Sequence, residues 1–190
     1  MNKLSDTSPF FVKGNFMKRA PLIIAVIIAI ISSLSLNAQT NKLKPNGDTA
    51  KAVSIPDKWT IYQGENNGNI MLVRKNTGCN QFVGNKSYSV RCGIAFKFLF
   101  PTDNGLPQIA KEPALDKIEE DIFKIFQADL NSLVSVIITT SGFREYVLYT
   151  NDVNKFEKRL VTLKAKYPQY TVSSYSEKDA DWNTYKSFDQ

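Results

Sequence analysis

The sequence of 190 residues contains no histidine and only two cysteines. Without histidine, the chain cannot build a Ser-His-Asp or Cys-His nucleophile system, a His-ligated zinc site, or the commonest general base of enzymes. Two cysteines are too few for a four-thiolate metal site. The nine glycines are scattered, and none belongs to a phosphate-binding G-x-x-x-x-G-K loop. We therefore expect no metal and no cofactor, and carboxylates and aromatic side chains remain for any chemistry.

The positive charge of the chain is modest once its N-terminal part is set aside. The whole sequence has a net charge of +6, but four basic residues and one acidic residue precede Gln39, which leaves +3 for the remainder. The densest basic group, Lys155 to Lys166, has the spacing of a solvated helix face. Because the other basic residues are spread along the chain, we expect no nucleic-acid partner.

An N-terminal signal for export is the clearest positive feature. Lys18 and Arg19 precede an unbroken apolar run from Leu22 to Ile31, and Ala38 provides a small residue for cleavage. A membrane-spanning helix needs about 20 apolar residues, which is more than this run offers. We therefore expect cleavage after Ala38 and a periplasmic or extracellular protein. An uncleaved membrane anchor from Leu22 to Leu36 is the alternative.

The sequence divides into a leader, a linker and one domain. Residues 1–38 form the leader and signal peptide, and Met17, directly before the charges, is an alternative start. Residues 39–56 are polar and contain Pro45 and Gly47, as in a flexible linker. Residues 57–190 have the length of one ordinary domain.

The domain is predicted to be an α+β protein that begins with a β-hairpin. Trp59–Tyr62 and Asn69–Arg74 flank a polar turn, as the two strands of a hairpin do. The periodicity that follows predicts strand, helix, strand, strand, helix and strand, at 88–100, 113–130, 133–140, 143–150, 153–167 and 170–175. This β-α-β-β-α-β order predicts a ferredoxin-like sandwich, in which both helices cover one face of an antiparallel sheet. The hairpin should extend or cover that sheet.

Six short motifs occur in order along the domain: Trp59, Gly105-Leu106-Pro107, Ile118-Glu119-Glu120, residues 140–146, Tyr149-Thr150 and residues 179–185. Together they resemble a bacterial family known as domain-of-unknown-function family 695 (DUF 695), over nearly the whole domain. Some members of that family are joined to a domain similar to inhibitors of a cytosolic ribonuclease, so the resemblance implies a protein-binding role by association. The resemblance implies no catalytic residues.

Acidic and aromatic residues near the C-terminus are candidate binding residues. Asp179 and Asp181 lie beside Trp182 and Tyr185, a combination that could line a groove for a sugar or a cation. Alternatively, the two aromatic residues fix the C-terminus to the core while the aspartates cap the last turn. We favour the second interpretation for Trp182.

Other charged residues offer weaker candidate sites. Arg144, which is followed by Glu145 on the second hairpin, could form a surface binding site, although an exposed strand face or a cross-strand ion pair is the simpler interpretation. The carboxylates of Glu119, Glu120 and Asp121 follow one another on the first helix. Successive helical residues point in different directions, so a solvated face is favoured over a catalytic pair.

The two cysteines are predicted to form a disulfide. Twelve residues separate Cys79 from Cys92, and export implies an oxidising compartment in which an even number of cysteines favours pairing. Two buried free thiols are the alternative. The spacing is not that of a redox-active C-x-x-C pair.

These observations predict a non-catalytic binding module of the cell envelope. It would bind an unidentified protein or envelope component through a free face of the sheet or through the C-terminal aromatic segment. The alternative is a hydrolase that uses Asp179 or Asp181 together with Glu119 or Glu120. Such an enzyme would need two carboxylates about 5–10 Å apart in one pocket.

Overall fold

The computed structural model describes residues 54–189, so the predicted signal and most of the linker lie outside the described residues. The described part contains six strands, β1 to β6, at Trp59–Asn66, Asn69–Asn76, Val90–Lys97, Ser132–Thr140, Phe143–Thr150 and Val172–Lys178. Its three α-helices, α1 to α3, span Ala114–Ile122, Val153–Lys166 and Asn183–Lys186. Short 3-10 turns occupy Thr77–Phe82, Lys86–Tyr88 and Ile109–Lys111, and a π-helical turn, Phe123–Gln127, follows α1.

The six strands form one antiparallel sheet in the order β1-β2-β4-β5-β3-β6. The predicted N-terminal hairpin is confirmed as β1 and β2, and it extends the sheet because β2 pairs with β4. Its turn consists of Asn67 and Gly68, with φ angles of 50° and 81°. Positive φ at both central residues is what a type I′ turn requires, and such turns match the twist of the paired strands.

Helices α1 and α2 pack on the same face of the sheet, which we call the helix side. The apolar faces of both helices are buried there against apolar residues of the strands. The residues of this core include Ile94, Phe96 and Leu148 from the strands, Leu115, Ile118 and Ile122 from α1, and Phe156, Leu160 and Leu163 from α2. The side chain of Asp152 accepts a hydrogen bond from the Lys155 amide at 3.0 Å and so caps α2.

The opposite face of the sheet is covered in part by the C-terminal segment. Trp182, Tyr185 and Phe188, which we call the C-terminal clamp, pack with Cys79, Phe82 and Tyr88 on apolar residues of β2, β4 and β5. We call this face the clamp side. All nine residues of β4 are buried, because both sides of this strand are covered. The entirely free sheet face that the sequence predicted is therefore not observed.

Several predicted boundaries differ from the structure, and two of the differences have identifiable reasons. The strand predicted from Tyr88 begins at Val90, because the Tyr88 hydroxyl donates a hydrogen bond to the Leu130 carbonyl at 2.7 Å and holds its residue in a 3-10 turn. The first helix was predicted to reach Leu130 but gives way to the π-helical turn at Phe123. Leu130 has a φ of 56° and packs on the clamp side instead.

The predicted disulfide between Cys79 and Cys92 is wrong. Both residues are free thiols and are fully buried. Cys92 belongs to the core of the helix side, whereas Cys79 belongs to that of the clamp side, so the sheet separates them. Burial raises the pKa of each thiol to about 12, which leaves both protonated and unreactive at neutral pH.

A candidate binding site between the first helix and the sheet

Arg144 lies on the helix side of β5, next to α1. Thr139 of β4 stands opposite it in the ladder, and Arg74 of β2 stands opposite Ile137 of the same strand, so all these side chains share one face. Glu119 reaches down from α1 to both arginines. The sequence indicated that Arg144 lies on an exposed strand face or in a cross-strand ion pair. The structure shows neither, because Arg144 faces Glu119 of α1. We call Arg74, Glu119, Arg144 and the neighbouring Tyr146 the Arg144 cluster.

The two arginines of the cluster share one carboxylate unequally. Arg74 Nη2 lies 2.5 Å from Glu119 Oε1, whereas Arg144 Nη1 lies 3.6 Å from Glu119 Oε2, which is beyond hydrogen-bonding distance. Arg144 Nε donates to the Thr139 hydroxyl at 3.2 Å. Among the described residues, the terminal nitrogens of Arg144 thus have no carboxylate within hydrogen-bonding distance. The cluster carries one more positive than negative charge.

The cluster can be reached from solvent at its rim. The side chains of Arg74, Glu119 and Arg144 are 35%, 22% and 15% exposed. The Arg74 guanidinium lies 5.5 Å from the centre of the half-buried Trp59 ring, and the Trp59 ring meets Phe123 edge-on at 6.0 Å. Trp59 therefore lies between the Arg74 guanidinium and Phe123 at the edge of the cluster.

Tyr146 forms the buried floor of the cluster. Its side chain is fully buried, and within the described part of the chain its hydroxyl has no partner in good hydrogen-bond geometry, only a weak contact with the Arg144 guanidinium. Burial raises the pKa of Tyr146, while the positive charge of Arg144 opposes that rise. The hydroxyl therefore stays protonated as a potential donor. A buried hydroxyl without a well-formed hydrogen bond is uncommon and costs free energy, so the Tyr146 hydroxyl is free to donate to a ligand that reaches Arg144.

Trp182 is not available to a ligand. It is fully buried and stacks on Tyr149 with ring centres 3.8 Å apart, while Tyr185 meets it edge-on at 5.5 Å. Its indole Nε1 donates to the Tyr88 carbonyl at 2.9 Å. These contacts also hold Trp182 at a φ of 57°, which is unfavourable for a bulky residue. The structure thus places Trp182 and Tyr185 as the sequence-based interpretation favoured, with both packed on the core.

The two C-terminal aspartates have different surroundings. Asp179 accepts hydrogen bonds from the Tyr149 hydroxyl at 2.7 Å and from the amides of Asn183 and Thr184 at 2.8 and 3.0 Å. Burial alone would raise the pKa of Asp179, but these hydrogen bonds lower it overall. Asp181 is exposed. Asp179 therefore supports the start of α3 rather than lining a groove.

The carboxylates considered for catalysis are held apart. Glu119 is on the helix side, whereas Asp179 contacts Tyr149 on the clamp side. Glu120 is exposed and pairs with Lys117 at 2.7 Å. Asp121 is buried and accepts hydrogen bonds from Tyr167 and Lys166, which lower its pKa against the opposing effect of burial.

The described part of the chain contains neither a group of three or more residues able to hold a metal ion nor a helix long and apolar enough to cross a membrane.

The sequence indicated that Glu145 lies with Arg144 on an exposed strand face, but Glu145 is buried on the clamp side. Its carboxylate accepts a hydrogen bond from the Tyr175 hydroxyl at 2.7 Å, and burial raises its pKa. Gly93 makes room for this pair, because a Cβ at that position would lie 2.1 Å from the Tyr175 ring. A glycine in the middle of a strand was the available signal, since it often marks a close approach.

The profile of a family described as a family of unknown function, DUF695, matches residues 57–188. The chain belongs to this family. The resemblance drawn from the sequence motifs is thereby confirmed, and the match spans all six strands of the DUF695 domain. No curated protein and no solved structure matches the chain. The motif residues Trp59, Glu119 and Arg144 meet at the Arg144 cluster, whereas Tyr149 and Trp182 meet on the clamp side.

Proposed function

We propose that this DUF695 protein is an exported, non-catalytic binding module of the cell envelope, and that its Arg144 cluster binds a carboxylate of a protein partner. The observation that carries this proposal is the guanidinium of Arg144, whose terminal nitrogens have no carboxylate within hydrogen-bonding distance among the described residues. A guanidinium presents a planar fork that matches a carboxylate. The buried Tyr146 hydroxyl, which makes only a weak contact with Arg144, lies beside it.

The charge of the cluster favours an anionic ligand. Glu119 neutralises Arg74 at 2.5 Å but stands too far from Arg144 to satisfy it. A carboxylate of a partner would therefore meet a guanidinium that is already oriented by its bond to Thr139. The side chain of Arg144 is mostly shielded from solvent, so the ion pair would be stronger than an exposed surface pair. Binding should weaken as the salt concentration rises.

A hydrolase is the less favoured function. The two carboxylates of a glycoside-hydrolase type site would have to converge on one pocket. Glu119 and Asp179 lie on opposite sides of the sheet, and each is already engaged by neighbouring donors. Glu120 and Asp181 are exposed. The way these carboxylates are used therefore favours a binding module over a hydrolase.

We also propose that β3, α1, β4, β5, α2 and β6 form a ferredoxin-like sandwich to which the hairpin adds two strands. Three features support this finer description. The elements follow one another as two split β-α-β units. The four strands stand in the order β4-β5-β3-β6 with antiparallel neighbours. Both helices pack on one side of the sheet.

The function is tested by in-cell cross-linking followed by purification of the protein and its partners from the envelope of a producing bacterium. Wild-type protein is compared with Arg144→Gln and with Lys97→Gln, which removes one exposed positive charge from the other side of the sheet. We expect one protein to be recovered with wild type and Lys97→Gln and lost with Arg144→Gln, while circular dichroism shows all three folded. Equal recovery of every co-purifying protein by all three would contradict the proposal.

A further inference from the structure

Within residues 54–189, no strand pairs with the outer edge of β1, and the hydrogen-bonding groups along that edge can be assigned. The Thr77 amide donates to the Lys58 carbonyl at 2.7 Å, and these residues continue the register of β1 and β2. Hydrogen-bonded and non-hydrogen-bonded pairs alternate along an antiparallel ladder. The backbone groups of the even-numbered residues of β1 therefore face β2. Those of the odd-numbered residues face outward: Trp59, Ile61, Gln63 and Glu65.

This edge lacks the features that normally prevent pairing with another strand. Natural edge strands are blunted by proline, lysine, bulges or short length. β1 is eight residues long, contains neither proline nor lysine, and pairs with β2 without a register shift. Its central Ile61 is 63% exposed. The other edge strand, β6, is seven residues long and has three serines but no large exposed apolar side chain.

We propose that β1 pairs antiparallel with β1 of a second copy of this chain, with Tyr62 opposite Tyr62 on the two-fold axis. In this register, the outward-facing backbone N–H and C=O groups of Ile61 in one copy pair with those of Gln63 in the other. No two charged residues of the same sign stand opposite each other. The pairs are Lys58 with Asn66, Trp59 with Glu65, Thr60 with Gly64, and Ile61 with Gln63. A register centred on Ile61 would instead place Glu65 opposite Asp57, which is repulsive.

The pairing has a consequence for binding. Two-fold symmetric dimers are the commonest protein oligomers, and their interfaces are self-complementary, as this edge is in the proposed register. The two-fold axis of antiparallel strand pairing is perpendicular to the sheet, so the helix sides of both copies face the same way. Both Arg144 clusters would then lie on one surface of a continuous sheet. This arrangement would let a partner with two acidic groups bind both copies, with a gain in avidity.

Disulfide trapping tests the proposed register. The Tyr62 residues of the two copies would form a non-hydrogen-bonded pair with a Cα–Cα distance of about 4.5 Å. This distance is within the range of about 4.4–6.8 Å that a disulfide spans. Tyr62→Cys protein from the producing bacterium, treated with a mild oxidant, should run mainly as a covalent dimer on a non-reducing gel. The native thiols are buried and give no background. The control is Ser173→Cys, an exposed position on the other edge strand, which should remain monomeric.

Proline substitution tests the edge independently of cysteine chemistry. Gln63→Pro removes an outward-facing amide from β1 without removing a bond to β2, and proline is tolerated at such edge positions. We expect wild-type protein to have the mass of a dimer by light scattering and Gln63→Pro that of a monomer. Ser174→Pro, whose amide faces outward from β6 by the same alternation, should stay dimeric. A monomeric wild type, or equal trapping of Tyr62→Cys and Ser173→Cys, would overturn the proposal.

Discussion

Replacing Trp182 with alanine should strongly destabilise the domain. The substitution removes a fully buried indole, its stacking contact with Tyr149 and its edge-on contact with Tyr185. Truncation of a buried tryptophan costs about 3–5 kcal/mol of unfolding free energy. The Tyr88 carbonyl also loses the donor at 2.9 Å, which adds about 1 kcal/mol if the carbonyl remains buried. The total is a large part of the roughly 5–15 kcal/mol that stabilises a typical domain.

The effect can be measured by thermal unfolding followed by circular dichroism. For a domain of this size, a loss of about 4–6 kcal/mol corresponds to a fall in Tm of about 10–25 °C. Trp182→Phe keeps a ring against Tyr149 but loses the indole donor, so its Tm should lie between those of wild type and Trp182→Ala. Asp181→Ala changes the adjacent exposed side chain and serves as the control. It should change the unfolding free energy by less than about 0.5 kcal/mol.

One result would refute this reasoning. If Trp182→Ala unfolded at the same temperature as wild type but no longer bound the envelope partner, Trp182 would be a recognition residue. The clamp would then have to open in solution. A fall in Tm for Asp181→Ala as large as that for Trp182→Ala would also contradict the account, because it would attribute the stability to the terminal turn rather than to the buried ring.

Three further predictions concern processing, thiols and acid stability. Intact mass of protein from the producing bacterium should correspond to cleavage after Ala38, and recovery of the uncleaved chain would exclude it. Thiol labelling should modify neither cysteine in the folded protein but both Cys79 and Cys92 after denaturation without reductant, whereas no labelling after denaturation would indicate a disulfide. Hydrogen bonds from the Arg159 guanidinium and from Lys155 lower the pKa of Asp129 in the folded protein. The ionised Asp129 therefore stabilises the fold at pH values above its unfolded pKa of about 4. This stabilisation is lost as the pH falls below that value and Asp129 becomes protonated. Asp129→Asn should therefore lower the unfolding free energy at pH 7. If the difference in unfolding free energy between Asp129→Asn and wild type did not shrink on acidification, the stabilising role of the Asp129 charge would be contradicted.

The elements of the fold were largely predictable because the burial pattern is regular. Alternation at Ile94, Phe96 and Phe98 identified β3, and the spacing of Phe156, Leu160 and Leu163 identified α2. These patterns depend only on periods of two and 3.6 residues, which short segments of sequence reveal. The sequence did not reveal how the N-terminal hairpin contacts the rest of the sheet. Its alternating pattern is compatible both with hydrogen bonding to the edge of the sheet and with packing on its face.

The site was less predictable because it depends on contacts between distant segments. Arg144 pairs with Glu119, which comes from a helix earlier in the chain, whereas sequence reasoning considered only its neighbours in the hairpin. The two cysteines are close in sequence, yet Cys79 packs on the clamp side from a 3-10 turn, whereas the side chain of Cys92 points to the helix side from β3. A local pattern cannot indicate which side of the sheet a residue in an irregular segment will occupy.

The most direct test of the central claim is the affinity of the captured partner for wild-type protein, Arg144→Lys and Arg144→Gln. Lysine keeps the positive charge but lacks the planar fork, so Arg144→Lys should weaken binding about tenfold, equivalent to about 1.4 kcal/mol. Arg144→Gln should weaken it further, and both differences should shrink as salt is added. An identical Kd for all three proteins would contradict the claim that Arg144 binds a carboxylate of the partner.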